Sequence, residues 1–78
     1  MDNLYTPEVE KHMYHMKQRL PADFPLVTRC DGPYIIIQIP MRDYAWRTVE
    51  DREQIALNLL RLKELIEGTG IGCLLEKV

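Results

Sequence analysis

Glu8, His12 and His15 fall on neighbouring turns of the stretch EVEKHMYH, and glutamate and histidine both ligate zinc. A spacing of three residues turns the two imidazoles about 60° apart on a helix, and no His-Glu-x-x-His pattern accompanies them. His12 therefore reads as a residue at the margin of a core, His15 as a solvated one, and no metal is expected. Cys30 and Cys73 offer thiols that a histidine such as His12 would have to activate for nucleophilic chemistry. Both fall in apolar, strand-like stretches without the electropositive or helix-N-terminal setting that lowers a thiol pKa, so they are expected to be reduced, part-buried and inert.

Gly68, Gly70 and Gly72 have the spacing of a phosphate-binding loop but the wrong context. Nucleotide motifs place their glycines after a strand and before a helix, whereas here they follow a helical pattern. Helix termination and a tight turn account for all of them, and no cofactor is expected.

The remaining group is Met41-Arg42-Asp43-Tyr44-Ala45-Trp46-Arg47, which holds the only tryptophan of the chain. Tyr, Trp and Arg are the residue types that dominate binding hot spots. Two roles are expected here. Met41 and Trp46 would cover the open end of the core, while Arg42, Tyr44 and Arg47 face a partner.

The elements that must position these residues are legible from pattern. Thr6-Pro7-Glu8 is a helix start. Val9, Met13, Met16 and Leu20 form one stripe with Tyr5 and His12 at its margin, and Pro21 ends the helix. Phe24 to Cys30 reads as a strand, Asp31-Gly32 as a tight reversal, and Tyr34 to Ile39 as a β-branched strand, making a hairpin. A two-residue loop would pair Thr28 with Ile35 and a three-residue loop Thr28 with Ile36; Pro33 leaves the choice open.

Thr48 caps a second helix that runs to Glu67 with Ile55, Leu59, Leu62 and Ile66 as its stripe, Leu65, Ala56 and Leu60 on its flanks, and Gly68 as the left-handed terminator. Gly70 to Val78 is short and apolar enough for a last strand. The order α-β-β-α-β predicts a two-layer α+β domain spanning residues 1–78. A small mixed sheet has both helices on one face and the last strand parallel to Tyr34–Ile39. This order resembles ferredoxin-like domains with the first strand missing, a likeness of topology that carries no activity and would leave a ladder edge open.

Ile35, Ile37 and Ile39 are assigned to the helix-facing side. Tyr34 and Ile36 then lie on a face that nothing else in the chain is expected to cover, and Leu57 lies off the second helix's core stripe beside Arg61 and Glu53. Both features point to a second subunit or another partner.

Bulk properties narrow the classes further. With 78 residues, 46% hydrophobic and 28% charged, the chain is expected to be an ordinary globular domain. A net charge of −2 supplies no basic field for nucleic acid. The acidic, polar start MDNLYTPEVE lacks signal-peptide character, and no run suits a membrane span; a cytoplasmic protein is expected.

The leading expectation is a small non-enzymatic protein, an inhibitor or regulatory adaptor that binds another protein stoichiometrically and is itself a homodimer. Such chains are of the kind that viruses and mobile elements direct against host machinery. Its contact residues would be Tyr34, Ile36, Arg42, Tyr44, Trp46, Arg47 and Leu57. The alternative is a nucleic-acid-binding module using the arginines and aromatics of residues 41–52.

Overall fold

Thr6 and Pro7 open the first helix as their chemistry dictates: the Thr6 hydroxyl accepts from the Val9 amide at 3.3 Å, and proline occupies a position where no N–H is needed. In the computed structural model, which describes residues 5–78, this helix is α1 (Pro7–Arg19). Strands β1 (Val27–Asp31) and β2 (Tyr34–Ile39), the one-turn helix α2 (Met41–Ala45), the long helix α3 (Val49–Gly68) and strand β3 (Gly72–Lys77) follow. The sheet order is β1-β2-β3, with β1 antiparallel and β3 parallel to β2. The expected α+β architecture is present, with α2 as an additional helical turn in a segment read as a loop.

The core is a single layer between the helices and one face of the sheet. Val9, Met13, Met16 and Leu20 of the first helical stripe meet Ile55, Leu59, Leu62 and Ile66 of α3 over Ile35, Ile37 and Cys73, all buried. Alternation along β2 sends Ile35 and Ile37 to this layer.

Local boundaries depart from the expected ones for identifiable reasons. The hairpin turns on Gly32 and Pro33, so that Asp31 pairs with Tyr34 and Thr28 with Ile37, unlike either anticipated register. Gly32 adopts φ +58° at the first central position, where only glycine is comfortable, and Pro33 supplies the fixed negative φ that follows. Phe24 to Leu26 is a turn, with the Phe24 amide bonded to the Pro21 carbonyl and the Leu26 amide to that of Phe24. At the end of α3, Gly68 is still helical. Thr69 caps through its hydroxyl, which donates to the Ile66 carbonyl at 2.6 Å, and Gly70 is the left-handed residue at φ +90°.

β3 lies directly beside β2, so the sheet has no internal gap, and among the described residues its ladder is open on the outer sides of both β1 and β3. No helix among the described residues is long and apolar enough to cross a membrane.

Candidate functional site

Pro40 stops β2 and starts α2, whose single turn is closed by the Tyr44 amide bonding to the Pro40 carbonyl at 2.9 Å. Thr48 then caps α3 by accepting from the Asp51 amide at 3.1 Å. Trp46 and Arg47 sit between these two capped elements, and the backbone there has little freedom.

Arg47 fixes the junction further. Its Nε and Nη2 donate to one oxygen of Asp43 at 3.1 and 2.8 Å, its Nη1 donates to Asp23 at 3.0 Å, and its guanidinium lies 5.5 Å from the Phe24 ring centre. These contacts tie the end of α2 to the turn between α1 and β1. Hydrogen bonds to Asp43 and Asp23 hold the Arg47 pKa up, and the same guanidinium holds the Asp23 carboxyl below its ordinary value. Arg47 is thus occupied within the chain, not presented to a partner.

Tyr44, and not Trp46, covers the end of the core. Its ring packs against the buried cluster and its hydroxyl donates to the Arg52 carbonyl at 3.1 Å. Trp46 is 87% exposed, which overturns the expectation that it seals the core. A one-turn helix cannot bury both rings, because residues two apart point to nearly opposite sides. Arg42, one turn before Trp46 on the same side of α2, is exposed too.

On the outer face of the sheet, Val27, Arg29 and Asp31 flank Gln38, Ile36 and Tyr34, which flank Glu76, Leu74 and Gly72. Arg29 on β1 reaches Glu76 on β3 at 3.0 Å, and the Gln38 amide donates to the same carboxylate at 3.2 Å. That ion pair must cross β2, and beneath it Ile36 is only 5% exposed. The expectation that nothing in the chain covers Ile36 is therefore corrected: its neighbours Arg29 on β1 and Leu74 on β3, with the bridge from Arg29 to Glu76, lie around it. Tyr34 remains 44% exposed, its ring lying across Gly72, where an added Cβ would stand 2.5 Å from Cδ1.

The expected contact residues consequently do not form one patch. Tyr34 lies at the far end of β2 from α2, about 17 Å away at ~3.3 Å per residue, and Leu57, 61% exposed, projects from the outer surface of α3. Arg42 and Trp46 are brought together; Tyr44 and Arg47 form the pedestal beneath them.

Of the residues considered for chemistry, His12 approaches Glu8 at 3.9 Å and His15 stacks edge-on against Tyr14. No group of three potential metal ligands occurs among the described residues. Cys73 is buried, and burial pushes its thiol up to about 11. Cys30 is exposed on the β1 edge, contrary to its expected burial, because the helices leave that side of the sheet partly uncovered. Comparison of the chain with protein-family models, curated proteins and solved structures gave no match.

Proposed function

We propose that the protein acts by stoichiometric binding to another protein, as an inhibitor or adaptor, and that Trp46 with Arg42 forms the anchor of the contact. The observation that carries this reading is the nearly full exposure of the tryptophan on a backbone fixed by two helix caps and the Arg47 bridges. A tryptophan offers on the order of 200 Å² of contact area. Holding its backbone in place beforehand removes part of the ordering cost of association. Leu57 and Tyr34 lie on other faces and suit secondary contacts.

A nucleic-acid role is less well supported. Trp46 could stack on a base, but Arg29 and Arg47 are paired with carboxylates and Glu50 and Asp51 stand at the start of α3.

Parallel affinity capture from the native cell with the parent protein and Trp46→Ala tests the proposal. The expected result is a protein retained in stoichiometric amount by the parent and lost with the variant, followed by the same loss with purified components. Capture unaffected by Trp46→Ala would remove this site, and recovery of nucleic acid in a salt-sensitive manner would favour the alternative.

A further inference from the structure

The hydrogen-bond pattern at the end of β3 fixes what its free edge displays. The Val78 amide donates to the Ile39 carbonyl at 2.9 Å and the Val78 carbonyl accepts from the Met41 amide at 3.0 Å, so the peptide groups of Val78 face β2. Alternation then turns those of Glu76 and Leu74 toward β2 and those of Cys73, Leu75 and Lys77 outward. No described strand lies beyond them.

The helix layer reaches past this edge. Three strands spaced about 4.8 Å apart span ~14 Å, whereas two packed helices, each about 10 Å across, span ~20 Å. The excess is on the β3 side: α3 packs over β3, where Cys73 is buried, Leu75 half-buried and Lys77 exposed, whereas on β1 the helix-facing Cys30 is exposed and Thr28 half-buried. Between α3 and this end of the sheet lies a groove of about 270 Å³, with Ala56, Leu59 and Leu60 of α3 on one side, Ile39 of β2 and Leu75 of β3 on the other, and Met41 and Tyr44 at one end. Leu60 is 48% exposed there, and Lys77 stands at the rim without an ionic partner among the described residues.

We infer that this edge receives an extended segment of a partner protein as a fourth strand, with an apolar side chain in the groove opposite Leu75 and an acidic residue two positions along facing Lys77. Residues two apart on a strand share a face, so the adjacent helix-side positions Leu75 and Lys77 call for that apolar and acidic pair. A second copy of this chain fits less well. It would bring its own α3 over its own β3, placing two helices over strands about 5 Å apart, below the 8–10 Å that helix packing needs. The inference rests on a different surface from Trp46.

The test uses the full chain and synthetic heptapeptides with capped ends. Each carries leucine and aspartate two positions apart, in either order, on a threonine background. Amide exchange by NMR should slow at Cys73, Leu75 and Lys77 and change little at Leu74 and Glu76. Lys77→Glu should weaken binding about fivefold and shift preference to a lysine-containing probe, while Trp46→Ala should leave it unchanged. Absence of protection in both peptide orders at millimolar concentration would overturn the inference. So would protection at alternate residues that do not match the outward set, or a concentration-dependent dimer that protects the same amides without peptide.

Discussion

Exchanging which aromatic is removed from the α2 segment distinguishes the observed packing from one in which the tryptophan seals the core. Trp46, at 87% exposure, withholds little more than a tenth of its surface from water. Taking about 200 Å² for the ring and ~25 cal/mol per Å², Trp46→Ala removes roughly 0.5 kcal/mol. Tyr44 packs on the core cluster and donates a hydrogen bond to the Arg52 carbonyl. With on the order of 100 Å² of apolar area buried and a bond contributing about 1 kcal/mol, Tyr44→Ala removes roughly 3 kcal/mol. Tyr44→Phe, which keeps the ring, removes only about 1 kcal/mol. Urea titration followed by far-ultraviolet circular dichroism measures all of these without relying on tryptophan emission, and an unchanged slope would show that only stability has moved. The reasoning is refuted if Trp46→Ala costs as much as Tyr44→Ala. The same experiment separates function from folding, since a Trp46→Ala protein of near-parental stability that no longer retains a partner has lost a contact and not a structure.

The remaining predictions concern the cysteines and the outer face. Native-state alkylation should label Cys30 rapidly and Cys73 only on unfolding, as followed by mass spectrometry, because one is exposed and the other buried. The Cys73 thiol lies at about 11 in the folded chain against an ordinary 9.0. The unfolded state therefore releases its proton first, and stability should fall as pH rises from about 9 to about 11; Cys73→Ala should flatten that part of a denaturation-versus-pH profile. Gly72→Ala should cost about 1 kcal/mol in a Tyr34 background and markedly less in Tyr34→Ala, since the added methyl meets the Tyr34 ring; equal costs in both backgrounds would contradict the ring's position over the glycine. A double-mutant cycle on Arg29 and Glu76 should return no more than about 1 kcal/mol, both side chains being part-exposed.

What sequence revealed and what it concealed divide along a physical line. Thr6-Pro7 and Thr48 announce helix starts because a cap is a contact between residues three apart, and the stripes of α1 and α3 and the alternation of β2 express one-dimensional periods. The cover over Ile36 has no such local signal: Arg29 and Glu76 meet across a strand that neither belongs to, and their pairing depends on a register set by Gly32 and Pro33.

The place of Trp46 was concealed for another reason. Met41 and Tyr44 already have the i, i+3 spacing of a helical turn with one apolar side, and Trp46 falls two residues after Tyr44, on the opposite side. Treating the segment as a turn of helix selects the tyrosine for the core and the tryptophan for solvent; treating it as a loop ranks the larger ring first and reverses the outcome. The same turn decides the surface, because packing Tyr44 inward is what directs Arg42 and Trp46 outward together. A substitution that breaks the turn, such as Ala45→Pro, should therefore disturb core closure and partner retention at once, even though the altered residue is exposed and lies in neither site.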